Sequence, residues 1–455
     1  MNGTYARPVS RARPDVGLPE PHVSAAVLGL AHAVLGAYLR MALGFERIEL
    51  RGGDVLVEAF RAAFDGERRV MLAFRHPYGD EPQLLSWIFS VGLGREARRL
   101  GVRLPRRPHA VFVHGYEVPR WGGPLIRWLL PRVGAMPVHH SKMDTVGMDR
   151  IRAAIEDGPY PLALSPEGQV SYTSGDVPRL EAGAVRLGFR SADRLERVGR
   201  PEHVVLMPIS VRYEYDRRAV ASLERLVLRI ESFVGSGAPS SPERRIAMPG
   251  RLADALEAIL RIAERQYGLE KGAEPGAALR AEAIVEAALC TGERLLGIAR
   301  GPGDAIERLY RIRQVGWDRV YLPPGEDPRR AAPLDRAVLD RRAGESWYAM
   351  RHMELADLAW YFRSDPPSEG APFGAVVEYA QNLWDFANRL AGGAISGRVA
   401  VRPKRAVVVA SPAIDLSARL PGYLVDRRVA TSQALVELKN AYQSCIKELN
   451  NDESD

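Results

Sequence analysis

Arg69-Val70-Met71-Leu72-Ala73-Phe74-Arg75-His76-Pro77-Tyr78-Gly79-Asp80-Glu81-Pro82-Gln83-Leu84-Leu85-Ser86-Trp87-Ile88-Phe89 decides how this chain is read. Its first six residues form a strand-like apolar run. Its last seven have the character of a helix, and Gly79 and two prolines punctuate the join. His76 therefore stands at a strand end, and Asp80 and Glu81 open the following helix four and five residues later. A histidine held by a carboxylate builds a base that works near neutral pH, because the acid fixes the tautomer and stabilises the imidazolium. Taken alone, the stretch reads more plainly as a surface histidine beside two solvated acids. The segments around it favour the first reading.

Outward from that stretch, strands and helices alternate. Val55 to Phe64 has a helical pattern and stops near Asp65-Gly66. Downstream, Ala110–Val113, Pro161–Leu164 and Val204–Val211 read as strands, and Leu125–Leu130, Ile151–Glu156 and Glu181–Phe189 as helices. That rhythm predicts an α/β fold with a mixed sheet flanked by helices and functional groups in the loops after strand ends. Arg95 to Arg107 reads as a basic loop, a docking patch or simply a solvated one. After residue 236 the texture changes. A Ser/Gly/Pro linker leads into helical patterns over Arg251–Tyr267, Ala277–Ile298, Glu345–Phe362 and Val376–Leu390. No internal repeat stands out. A strand returns at Arg405–Ala410, and an amphipathic helix over Thr431–Leu449 precedes an acidic tail.

The domain division expected is 1–21 a disordered arm, 22–49 an apolar helix in membrane contact, and 50–235 the α/β domain. A helical insertion over 236–396 follows, and 397–455 is a returning segment; a separate C-terminal helical region is the alternative. Val23 to Leu39 is apolar save for Ser24 and His32, and barely long enough to cross a bilayer. Its many small residues favour a monotopic helix lying on the membrane over a crossing one. Helix packing on the protein's own core is the competing reading.

The chain has 455 residues, a net charge of +7 and only two cysteines, Cys290 and Cys445. The basic excess is carried by arginine and suits anionic lipid, an acidic carrier protein or phosphate. Nucleic acid is not expected, as zinc spacings, a basic zipper and RNP-like aromatics are missing. The sparse cysteines suggest a reducing compartment, and no secretory signal is expected. No metal is expected: His139-His140 would point to opposite faces of a strand, and His352, Glu354 and Asp357 do not share a helical face. There is no Gly-x-Ser-x-Gly elbow, P-loop or dinucleotide fingerprint.

Four blocks in order carry a resemblance: His76 with Glu81 at the fifth position after it, Glu117-Val118-Pro119 with Gly123, Pro166-Glu167-Gly168, and Val205-Leu206-Met207-Pro208-Ile209. Over roughly residues 50–235 the chain resembles the PlsC-type glycerolipid (1-acyl-glycerol-3-phosphate) acyltransferase family. That family moves an acyl group from acyl-CoA or acyl carrier protein to a glycerol-phosphate or lyso-lipid hydroxyl. The resemblance implies His76 as base with Glu81, where the family has Asp, or Asp80 one residue earlier, as its partner. It implies substrate contacts at Gly123, Glu167, Gly168, Ser171 and Pro208. Two family arginines are absent: His140 stands where one binds the acceptor phosphate, and Gln169-Val170-Ser171 follows Pro-Glu-Gly in place of Thr-Arg-Ser. His140 or Lys142, among other cations, would have to substitute, or the acceptor is not a phosphomonoester. The implied protein is an O-acyltransferase of phospholipid synthesis without a bound cofactor, peripheral or monotopic at the cytoplasmic membrane face. The alternative is a non-catalytic lipid-binding or scaffold protein on the same fold.

Overall fold

The computed structural model describes residues 8–139, 144–236, 248–269, 276–301, 303–394 and 397–452. The chain divides into two compact units. One is discontinuous and holds the sheet: Leu18–His139, Met143–Glu214 and Pro403–Asp455. The other holds the N-terminal segment up to Gly17 and the helical stretch Tyr215–Arg402.

The sheet is built from β1 (Phe45–Arg51), β2 (Arg68–Phe74), β3 (Val111–Gly115), β4 (Met136–Val138), β5 (Leu162–Leu164), β6 (His203–Glu214), β7 (Lys404–Ala410) and β8 (Ile414–Asp415). Their order is β1-β7-β6-β2-β5-β3-β4, with β8 also beside β6. From β6 through β4 all neighbours are parallel; β7 and β8 run antiparallel to β6, and β1 runs parallel to β7. The sheet is therefore mixed. Central β2 is buried from Val70 to Phe74 because helices cover both faces, which is why its sequence is an unbroken apolar run and not an alternating one.

One face packs Met71, Ala73 and Leu206 against Ile151 and Ile155, Val185 and Phe189, and Leu438 and Tyr442. These come from the helices Thr145–Asp157, Gly183–Arg197 and Arg427–Asp452. Tyr442 is fully buried, and its hydroxyl donates to the Ala73 carbonyl at 2.8 Å. On the side of the helices Gly53–Phe64, Glu81–Trp87 and Ala25–Met41, Phe60 meets Phe89 of the Ile88–Gly92 turn with tilted rings, and Phe89 and Phe74 both meet Phe112. Gly52, which starts the Gly53–Phe64 helix at φ +65, lies so close to β7 that a side chain there would collide with the Ala410 carbonyl.

Several elements depart from the sequence reading. Arg95–Arg99 is helical, joined to the Glu81–Trp87 helix through one wide turn at Ile88–Gly92, so only the second half of the basic stretch is loop. The strands β1 and β4 and the helices Val220–Val234 and Ala305–Val320 were not expected; the apolar helix read over 22–49 ends at Met41, and Phe45–Arg51 is an edge strand paired with β7. The proposed disordered arm is docked from residue 8 onward. Ala12 is buried, its N–H donates to Asp340, and Arg13 forms a parallel bridge with Tyr321. Residues 1–7 lie outside the described residues.

The helical unit contains a repeat that the sequence hid. Arg218, Glu224 and Glu231 have the spacing Arg-x5-Glu-x6-Glu; so do Arg251, Glu257 and Glu264, and Arg280, Glu286 and Glu293. Each helix's glutamates are clamped by the arginine of the next. Arg251 grips both Glu231 oxygens at 2.7 Å and also reaches Glu224. Arg280 does the same to Glu264 and Glu257, and Arg308 to Glu293 and Glu286. The series stops at Ala305–Val320, where Gln314 and Tyr321 occupy the positions six and thirteen residues after Arg308.

Candidate active site

Parallel pairing places the loops. Because β2 and β5 run side by side, with Ala73 opposite Leu164, the residues that follow each strand emerge at the same sheet edge. His76 follows β2, and Ser165-Pro166-Glu167-Gly168 follows β5. Strand β6 pairs Ile209 with Phe74 and then continues past β2, so Tyr213 stands beside the loop carrying His76. Over the same length β6 pairs with β7, Tyr213 opposite Ala406, which brings Lys404 to the same place from the far end of the sequence.

His76 Nδ1 lies 2.7 Å from Glu81 Oε2. An ionised carboxylate only accepts, so Nδ1 carries the proton and donates it. Nε2 has no hydrogen-bond partner among the described residues, and about a fifth of the side chain (20 %) is exposed. Glu81 itself is fully buried and accepts from four donors: His76, the backbone N–H groups of Tyr78 and Gly79 (3.2 and 2.8 Å), and the Tyr213 hydroxyl at 2.8 Å. Its lone pairs are filled, so carboxylate and ring are both fixed in place. Gly79 reaches Glu81 with φ +93, a conformation that a side chain would strain.

The electrostatics follow from these contacts. Burial disfavours the His76 imidazolium, but the Glu81 hydrogen bond and charge, with smaller help from Glu167 and Asp80, outweigh it, and the ring titrates above its ordinary 6.5. Burial would raise Glu81, yet the donors around it, His76 foremost, hold it below the usual 4.5. Burial first, and then the Glu81 charge, push Tyr213 well above 10, so it stays a protonated donor.

Asp80, the other candidate partner, turns away. Its Oδ2 is 2.7 Å from Lys404 Nζ, and that ammonium lies over the rings of Phe45 and Tyr213 at 4.2 and 4.6 Å. Tyr213 also stacks on Tyr78, ring centres 4.7 Å apart. One continuous path thus runs from Lys404 and Asp80 through Tyr213 and Glu81 to His76.

Glu167, expected to contact substrate, is instead spent within the protein. Its side chain is 1 % exposed; one oxygen takes Arg75 Nε at 3.0 Å and the other the His76 backbone N–H at 3.1 Å. Arg75, equally buried, turns its other nitrogens to the carbonyls of Thr173, Ser174 and Asp176. The pair stitches the loop after β5 to the end of β2. Ser171 closes the seam: its N–H donates to the His76 carbonyl at 2.9 Å, and its hydroxyl to Thr173. Gly168 makes the turn at φ +75. Tyr172, in the same loop, holds φ 58, the one non-glycine residue with a positive φ among those described.

The other expected site residues lie farther out. Pro208 is buried within β6 opposite Ala73, and its carbonyl accepts from Ser411. Gly123 starts the Gly123–Arg132 helix after β3, two strands away from β2 in the sheet. His140 and Lys142 are outside the described residues. Among the described residues no group of three His, Cys, Asp or Glu side chains is placed to hold a metal ion. His352 bonds Tyr267, Glu354 pairs with Arg351 and Arg389, and Asp357 with Arg313.

Arg75, Tyr213 and Lys404 were given no role at the site by the sequence reading. Lys404 did carry a signal: it is one of only five lysines in a chain that otherwise uses arginine. Tyr213 continues the inward alternation of Ile209 and Val211, but its target is fixed by cross-strand register alone. The chain matches no protein-family model, no curated protein and no solved structure.

Proposed function

We propose that this protein is an O-acyltransferase that moves a fatty acyl group from acyl-CoA or acyl carrier protein to the hydroxyl of a lyso-lipid or glycerol-phosphate acceptor at a membrane surface, with a PlsC-like fold. The observation that carries the reading is the His76–Glu81 pair at 2.7 Å, whose Nε2 is left to accept a proton. An alcohol has a pKa far above 7 and must lose its proton as it attacks a thioester; Nε2 takes it. The new C–O bond forms a tetrahedral oxyanion. Its collapse breaks the C–S bond, and the imidazolium returns the proton to the departing thiolate. The step consumes no metal, redox partner or covalent enzyme intermediate.

Glu81 stabilises the imidazolium in this scheme, and Arg75 with Glu167 keeps the two loops at a fixed separation. With His140 and Val170 at the positions of the family arginines, a bidentate phosphate clamp is not part of the reading. The acceptor class is accordingly any lyso-lipid hydroxyl, including lyso-aminolipids.

The test is acyl transfer from labelled acyl-CoA and acyl carrier protein across a panel of lyso-lipids. His76→Ala should abolish transfer without changing the circular dichroism spectrum, and Glu81→Gln should reduce it by about 10²- to 10⁴-fold. Transfer that survives His76→Ala removes the assignment of the base. No transfer by the wild-type chain with any donor favours the lipid-binding scaffold.

A further inference from the structure

The helix Ala25–Met41 is apolar on the side that faces solvent. Leu30, Val34, Tyr38 and Met41 are 44–72 % exposed, whereas Leu28 and Leu39 are its buried residues. Apart from Arg40, the remaining exposed positions on the helix are alanines. A helix apolar around its circumference is stable only when something covers the face its own protein leaves bare. The Gly123–Arg132 helix repeats the pattern. From Trp121 to Arg132, every exposed residue is apolar, and Trp121, Leu125 and Trp128 are 52, 69 and 44 % exposed. The two helices adjoin: the His22 and Ser24 N–H groups donate to the Pro131 and Arg132 carbonyls, and Val23 bridges Val133.

Neither helix contains an aspartate or glutamate, and arginines border both. Arg132 lies over the Trp128 ring at 4.9 Å. Arg95 lies over Trp87, whose indole nitrogen would touch a methyl group at Gly36, and an Arg107 nitrogen reaches the Gly29 position. No helix among the described residues is long and apolar enough to cross a membrane.

We propose that these two exposed faces form one docking surface for an anionic lipid bilayer, with both helices lying in the headgroup region and the arginines meeting lipid phosphates. The chemistry favours a bilayer as occupant. Tryptophan and tyrosine suit the polar–apolar boundary, alanine and leucine the acyl edge, and arginines on helices that carry no acid the surface charge of anionic lipid. At 17 residues, about 25 Å, the first helix has the length of an interfacial anchor. The inference deepens the membrane part of the proposed function, but no turnover enters its test, so the two fail separately.

The experiment is co-sedimentation of the full chain with phosphatidylcholine vesicles, with and without about one-third phosphatidylglycerol. Wild type should partition at least about tenfold more strongly to the anionic vesicles. Leu125→Glu and Val34→Glu, at exposed positions where folding is checked by circular dichroism, should each weaken partitioning at least about tenfold. Arg40→Gln combined with Arg132→Gln should remove the preference for anionic lipid. Brominated acyl chains should quench tryptophan fluorescence in wild type and lose that effect in Trp121→Phe/Trp128→Phe. The proposal is overturned if wild type stays in the supernatant with both vesicles, or if the two glutamate variants pellet like wild type. It is equally overturned if the face mediates a concentration-dependent dimer, abolished by Leu125→Glu, in place of vesicle binding.

Discussion

At the residue scale, the His76–Glu81 pair ties protonation to stability and activity in opposite senses. His76 titrates above its ordinary 6.5, so its share of the stabilisation is complete below that pH and is lost as pH rises through the folded value. Glu81 is held below 4.5, so its share is present above that pH and is lost as pH falls through the folded value. The pair therefore stabilises most between 4.5 and 6.5. A base must be unprotonated, so transfer should rise with pH through a midpoint above 6.5.

That midpoint should answer to residues that never touch it. Removing the Tyr213 hydroxyl takes a donor from Glu81 and makes the carboxylate more basic. Tyr213→Phe should raise the His76 midpoint by about 0.5–1 pH unit. Lys404→Met leaves the Asp80 charge uncompensated and should move the midpoint in the same direction. Glu81→Gln should move it below 6.5, because burial would then be the dominant influence. Carbethoxylation of His76 as a function of pH reads all three without an activity assay, and an unmoved midpoint in Tyr213→Phe and Lys404→Met would sever the path described above.

At the scale of elements, central strands were legible and partners across long separations were not. Val70–Phe74 and Val204–Val211 show in the sequence because burial on both faces demands continuous apolar runs. The Ala305–Val320 helix does not show, because a buried arginine, Arg308, occupies a place where the apolar stripe would run. Its start was nonetheless written: Asp304 caps the Glu307 N–H at 3.0 Å, with an acid at the third helical position. The arginine–glutamate ladder was hidden because its partners are 15 to 27 residues apart and the intervals between arginines vary. In the site, His76 and its neighbouring acids could be read locally. The choice of Glu81 over Asp80 could not, since it depends on Lys404, 324 residues away from Asp80.

The ladder also predicts an asymmetry in mutational cost. Arg280 is 9 % exposed and Glu264 6 %. Arg280→Ala strands a buried carboxylate and should destabilise the helical unit by about 3–5 kcal/mol. Replacing Arg280 and Glu264 together by methionine and leucine removes both charges and should cost far less, or nothing. Urea titrations of the two variants check this; equal losses would mean that the ladder's cost is one of packing and not of charge.

At the scale of the whole molecule, the chain leaves the sheet at Glu214 and rejoins it at Pro403. Glu214 and Arg405 are direct partners in the β6–β7 ladder, so the ends of the intervening stretch already lie where a hairpin would join them. Replacing residues 215–402 by a short Asn-Gly-containing turn should leave a sheet unit that folds cooperatively on its own. It should also keep the His76 midpoint of the full chain, because every residue on the path to His76 is retained. A shortened chain that is soluble but shows no cooperative transition would refute this independence.

Strand β7 also sets a timetable for biosynthesis. A ribosome has made nearly nine-tenths of the polypeptide before codon 404 is read, and until then β6 has an open edge and Asp80 has no cation. Domains that complete themselves from nearby sequence begin to fold as they emerge, whereas this sheet must hold an incomplete form while a helical unit is threaded out between its parts. Premature termination anywhere in that interval yields a protein whose exposed β6 edge invites pairing with other chains, so nonsense truncations should accumulate as aggregates and not as soluble, partly active fragments.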